Sequence, residues 1–343
     1  MSAYILFDQA YDHLLRRVYE LLDVRDILNV SSTATVAWAA WRRYCAGVFA
    51  FDRLTSKYFE SHMLFKQLLR DTSSVLLATS VIFMLRRGPP GDRPLDILIE
   101  ARHLKAYEAY ILHQEGYEPW IHNSHRVQDF IHTLGQDRPP IASRQRMLVE
   151  RELRSQERAV AAVFTFYKEV PNGGWKYVRV AVATTSIMKS VLSASTSEGM
   201  AFMTDSLVVV LYPYATFVRK ESLAFKHRPS SGPRRHLHFQ REPYEIVDRS
   251  DFWYDDLADI FKVGPGSASV RAVGDNHCWT IFLESSGTAT EAHATFDSEL
   301  THAQLSLNRW SLIVEDGVAR VQSESVHVDA ISSIYDTLRG TVL

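Results

Sequence analysis

Residues 73 to 117 constrain the fold more than any other part of the chain. They run from an apolar segment, Ser73 to Arg87, through Arg93-Pro94-Leu95-Asp96-Ile97-Leu98-Ile99-Glu100, to an amphipathic stretch with Leu104, Tyr107, Tyr110 and Ile111 that closes on Glu115-Gly116-Tyr117. Short apolar runs without alternation read as strands covered on both faces. The stretch 102–114 has helical spacing, and Gly116 supplies a C-cap. The order strand, helix, strand, helix through residue 117 predicts an α/β arrangement with its middle strands buried.

A second block extends the sheet. Ala159 to Lys168 and Tyr177 to Thr184 are apolar runs on either side of Pro171-Asn172-Gly173-Gly174, the signature of a hairpin. Residues 73–117 and 159–184 are therefore expected in one mixed sheet, with Asp96 near its exposed edge or a cleft. Ser186 to Ser193, Met200 to Thr204 and Leu211 to Phe217 follow as further elements.

The polar residues of these strands invite one chemical test. Metal-dependent nucleotidyl transfer needs two carboxylates on one face of a strand, which the two-residue period supplies as Asp-x-Asp, and a third on a neighbouring strand. Here the first position is Pro94, which can neither ligate a metal nor donate to a ladder and belongs at a strand's first residue or edge. Asp96 remains alone, and one carboxylate seldom holds magnesium without further oxygen ligands. The polar position of the later strand falls near Arg179, a cation that would repel a metal ion, and Ala78-Thr79 stands where bare backbone would approach phosphate. The simplest role for Asp96 is then to cap a turn or pair with an arginine such as Arg87.

With these residues in view, the chain resembles a large group of fungal proteins that couple a degenerate F-box-like helical N-terminus to a nucleotidyltransferase-like α/β domain. The resemblance rests on the hydrophobic pattern, Arg87, Asp96, Gly116-Tyr117 and the Leu211-Tyr212-Pro213-Tyr214-Ala215-Thr216 segment, and spans about residues 10 to 280. It departs at Ala78, Thr79 and Pro94. At the N-terminus, Leu14, Leu15, Val18, Leu21 and Leu22 form one helical stripe, followed by Asp23 to Val30, Trp38 and Trp41-Arg42-Arg43. That pattern is similar to an F-box, a helical trio that docks on a Skp-type adaptor of a cullin ubiquitin ligase, although the usual early proline is missing. The resemblance implies that Leu14, Leu15, Val18, Leu22, Ile27 and Leu28 divide between the module's own core and the adaptor contact. The competing expectation is that these helices only pack on the following domain.

Residues 51 to 70 read as a helix or helix pair, and 122–158 as a polar, sign-alternating insertion whose charges make a solvated face. Between 219 and 242 seven Arg and Lys face two acids, and the next eighteen residues reverse the balance. Within the basic block Arg228, Arg234 and Arg235 are candidate anion contacts, and residues 227–235 are expected to form a mobile surface loop. His236 and His238 are too few for a metal site without a third ligand. Residues 270–275, 279–283 and 310–314 read as strands, and Ala330 to Leu338 as a last helical stripe.

A net charge of −2 over 343 residues gives no overall pull toward nucleic acid or anionic membrane. Cys45 and Cys278 are far apart and support neither a disulfide framework nor a zinc site. No leader, lipidation motif or transmembrane-length run is evident, so the chain reads as cytoplasmic or nuclear.

The expected architecture is α+β or α/β in three parts: a helical F-box-like segment (1–71), a degenerate nucleotidyltransferase-like domain (72–227) and a C-terminal α/β extension (228–343). The leading functional expectation is a non-catalytic intracellular protein with no cofactor and no metal, partnered by a Skp-type adaptor and a client protein. The alternatives are a divergent metal-dependent nucleotidyltransferase using Asp96 with help from Glu100, or a nucleotide- or nucleic-acid-binding protein acting through the basic block.

Overall fold

The computed structural model describes residues 12–31, 33–87, 94–120, 160–171, 173–183, 185–194, 196–223, 245–247, 270–275, 277–283, 305, 308–315 and 318–324. The insertion at 122–158, the loop at 227–235 with Arg228, Arg234 and Arg235, the paired His236 and His238, and the stripe at 330–338 lie outside the described residues.

Five helices come first: α1 (Asp12–Leu21), α2 (Val24–Ser31), α3 (Thr35–Val48), α4 (Phe51–Thr55) and α5 (His62–Asp71). Each obeys a local rule. On α1, Leu15 and Tyr19, four residues apart, are buried. Asp23 starts α2 by accepting a hydrogen bond from the Asp26 N–H at 2.8 Å, an N-cap contact. On α3, Ala37, Ala40, Trp41, Tyr44, Cys45 and Val48 make the buried stripe. The start of α5 is capped from far away, since the Glu115 carboxylate accepts from the N–H groups of Glu60 and Ser61 at 2.8 Å each.

The apolar segment at 73–87 divides. Three residues form β1 (Val75–Leu77) and the next eight form α6 (Ala78–Leu85). Next come β2 (Leu95–Glu100), α7 (Leu104–Glu108), which widens into a π-helical turn (Ala109–Gln114), and β3 (Glu118–Pro119). Gly116, at φ 67, turns the chain where few other residues would fit. The hairpin is present as β4 (Val160–Glu169) and β5 (Trp175–Ala183), its turn closed by bonds of 2.9 Å between Val170 and Gly174 and between Gly173 and Val170. There follow α8 (Ile187–Leu192), β6 (Ala201–Met203), β7 (Leu207–Val210) and a second π-helical turn (Tyr214–Arg219). The last strands are β8 (Glu221–Leu223), β9 (Glu245–Val247), β10 (Arg271–Ala272), β11 (Trp279–Phe282), β12 (Arg309–Glu315) and β13 (Val318–Glu324).

Eight strands make one sheet in the order β11-β7-β6-β1-β2-β5-β4-β3. Within it β2 and β5 run parallel and the other described neighbours antiparallel, so the sheet is mixed, largely antiparallel, and the class is α+β. The strands of the 73–117 block, β1 and β2, and of the 159–184 block, β4 and β5, share it, as expected. Alternation sorts the side chains onto two cores. Leu76, Ile97, Val180 and Met203 face a layer built from α1 to α7, whereas Val75, Leu98, Ala181 and Phe202 face α8 and Trp310.

The N-terminal helices share the first of these cores. Leu15, Ile27 and Trp41 belong to one cluster with sheet residues as distant as Ile281 and Leu283. Trp41 stacks on Trp279 of edge strand β11, centroids 5.5 Å apart and planes at 22°. Arg87, held at φ 55 just past the end of α6, donates through Nη1 to the carbonyls of Tyr19 (2.8 Å), Glu20 (3.2 Å) and Leu22 (3.4 Å). A cation on the last carbonyls of α1 complements its dipole. On the other face a three-stranded sheet, β10-β12-β13, is fastened by Arg271, which pairs with Asp275 at 2.9 Å, donates to Leu211 O at 3.1 Å and lies 4.7 Å from the Trp310 ring centroid.

Candidate functional site

Asp96 lies in β2, between β1 and β5, so it is interior to the sheet and not at an exposed edge or cleft. Only 4% of its surface is accessible. The parallel register of β2 and β5 sets Asp96 directly beside Arg179, itself 4% accessible. Arg179 grips the carboxylate with two nitrogens: Nε donates to Oδ1, and Nη2 to Oδ2 at 2.5 Å. This bidentate fork is the strong form of an arginine–carboxylate contact. The partner is therefore Arg179 and not Arg87, whose Nη1 is spent on the carbonyls of Tyr19, Glu20 and Leu22.

The residues around Asp96 do not fit a divalent metal ion. Both carboxylate oxygens are engaged by a guanidinium, whose positive charge sits where an ion would have to approach. Pro94 precedes β2, and Glu100 at its far end pairs with Arg102 at 2.9 Å. Ser80, in the first turn of α6, accepts a hydrogen bond from the Asp96 N–H at 3.5 Å, so the strand start is closed by a side chain. Among the described residues no group of three or more His, Cys, Asp and Glu could hold a metal ion.

The structure separates the helical candidates into two sets. Leu15 and Ile27 are buried in the shared core, and Leu22 packs against it partly exposed. Leu14 and Val18 are exposed, at 43% and 41%, and Leu21, at 88%, continues their line one turn further. These three, spaced i, i+4 and i+7, make an apolar edge along the outer face of α1. The side chain of Leu28 lies outside the described residues.

Sequence reasoning missed one group altogether. Glu198, between α8 and β6, is buried with Ser222 beside it. Burial raises its carboxyl from the usual 4.5 to about 7, against the smaller opposing pull of Ser222 and Arg86. A lone Glu in Ser197-Glu198-Gly199 reads as loop, and nothing in its neighbourhood signals burial. The two cysteines are unpaired, and burial pushes Cys278 up to about 12 and Cys45 well above its ordinary value, which leaves both as unreactive thiols near neutral pH.

No family model, curated protein or solved structure matches the chain. Among the described residues no helix is long and apolar enough to cross a membrane.

Proposed function

We propose that this chain is a non-catalytic binding protein of the cytoplasm or nucleus, built on a nucleotidyltransferase-like domain that has lost its chemistry. The observation that carries the reading is the clamp of Arg179 on both oxygens of Asp96. Metal-dependent phosphoryl and nucleotidyl transfer works by positioning ions that neutralise the reacting groups. Here the surviving carboxylate is neutralised by its own chain. In this reading the domain offers a recognition surface for a client protein, and the helical module, F-box-like in pattern, serves a Skp-type adaptor of a cullin ubiquitin ligase through Leu14, Val18 and Leu21. The exposure of that apolar edge supports the second half, because isolated core packing has no use for it.

The test of the first half is magnesium- or manganese-dependent incorporation of all four ribonucleotides by the purified chain. Turnover above background that disappears in Asp96→Asn would overturn it. For the second half, a purified Skp-type adaptor should form a complex that Leu21→Asp weakens. Absence of any complex at micromolar concentrations removes the ubiquitin-ligase assignment and leaves the non-catalytic reading standing.

A further inference from the structure

The loop joining α8 to β6 is buried along Thr196, Ser197 and Glu198. Two hydrogen bonds tie it to β8: the Ser197 N–H donates to Leu223 O at 2.9 Å, and the Leu223 N–H donates to Ser197 Oγ at 3.0 Å. Strand β8 carries β9 alongside it in parallel pairing. At this junction two buried side-chain oxygens have no hydrogen-bond partner, Glu198 Oε2 and Ser222 Oγ. Ser222 lies near enough to the carboxyl to favour its charge slightly, but no well-formed bond closes between them. Arg86, at the end of α6, reaches the same group, donating through Nη2 to Thr216 O at 3.4 Å.

A buried carboxylate is costly unless donors satisfy it, while a protonated carboxyl is neutral and can itself donate to a hydroxyl oxygen. The Ser222 hydroxyl, without a partner of its own, stands ready to accept. The charged groups around Glu198 do not reverse this. Arg86 favours the ionised form less than burial opposes it. Beyond it, Arg219 pairs with Glu221 at 3.2 Å, Lys220 is exposed, and β6 carries no charge. We propose that Glu198 is a proton-controlled latch: protonated, it keeps the 196–199 loop and β8 docked, and loss of the proton loosens the junction and frees the β8–β9 ribbon.

The direction follows from the two states. In an opened junction Glu198 would titrate near its ordinary 4.5, and in the closed one near 7. The latch is therefore tightest below about pH 4.5, weakens as pH rises between these values and is weakest above 7, a change of about 300-fold in the opening equilibrium.

Amide hydrogen exchange on the full chain, corrected for intrinsic base catalysis, reads this opening. Between pH 5 and 8 the open population at Ser197 and Leu223 should rise by nearly a hundredfold. The opening should be insensitive to low urea, as a local event is, whereas Ile97 and Val180 should exchange only through global unfolding. Glu198→Gln, which cannot ionise, should flatten the pH profile. Arg86→Met, which removes the favouring cation, should extend the steep part of the profile to higher pH without moving its lower edge. The latch is refuted if the wild-type profile is flat, if Glu198→Gln rises equally, or if Ser197 and Leu223 open only together with Ile97 and Val180.

Discussion

Replacing Arg179 by Met should be among the most destructive single changes in the sheet. It removes both hydrogen bonds that Arg179 makes to Asp96 and leaves a carboxylate 4% accessible without its counter-charge. Each charge-assisted bond contributes about 1.5–3 kcal/mol, and breaking a buried pair from one side costs about 3–5 kcal/mol, so the two ways of reckoning agree. Asp96→Leu should cost about the same, because it strands the guanidinium, whose Nη1 already lacks a partner. The double change Asp96→Leu with Arg179→Met removes both charges and extends the apolar face of Leu98 and Ala181. It should return to within about 2 kcal/mol of the parent, or exceed it. The cycle would then show a coupling of at least about 4 kcal/mol, above the usual range for residues in contact. Equilibrium unfolding in urea at pH 7, followed by far-ultraviolet circular dichroism, measures all four proteins. Single changes that cost under about 1 kcal/mol and simply add in the double would show that the pair does not hold β2 to β5 and would remove the reasoning.

Trp279→Ala opens a void between β11 and α3 and should cost about 3–5 kcal/mol, lowering the helical and sheet signals in one transition. Two separate transitions in a thermal scan would contradict a shared core. Val18→Asp together with Leu21→Asp, both on the exposed edge of α1, should change stability by no more than about 0.5 kcal/mol per site while weakening adaptor capture. A marked loss of thermal stability would mean that the edge is already covered.

The hairpin and the helix closing at Gly116 were legible because their signals are local. Pro171 to Gly174 is a turn by composition, and Gly116 stands where φ is positive. The burial of Asp96 could have been drawn from the same strand that carried the functional reading. An apolar run such as Leu95 to Ile99, interrupted only by Asp96, implies cover on both faces, and the polar residue inside it is covered too. The sequence placed Arg179 at the polar position of the neighbouring strand but not its pairing with Asp96, since a register between strands eighty-three residues apart leaves no local trace. For the same reason nothing in the sequence joined Trp279 to Trp41, or Arg87 to the carbonyls of α1. The sequence offered Arg87 as a pair for Asp96, whereas the fold uses it as a helix cap.

The stacked tryptophans and the Arg87 clamp also have a mechanical meaning. A module on a flexible linker lets a bound partner tumble, and reach is then set by linker length. With Trp41 wedged on β11 and three carbonyls of α1 and its exit held by one guanidinium, α1 is a fixed handle. Whatever grips its outer face also takes hold of the sheet, and torque applied there passes directly into β11 and α6. Anything seated on the sheet would be presented to the gripping partner at one angle and one distance, with no ordering entropy left to lose at that joint.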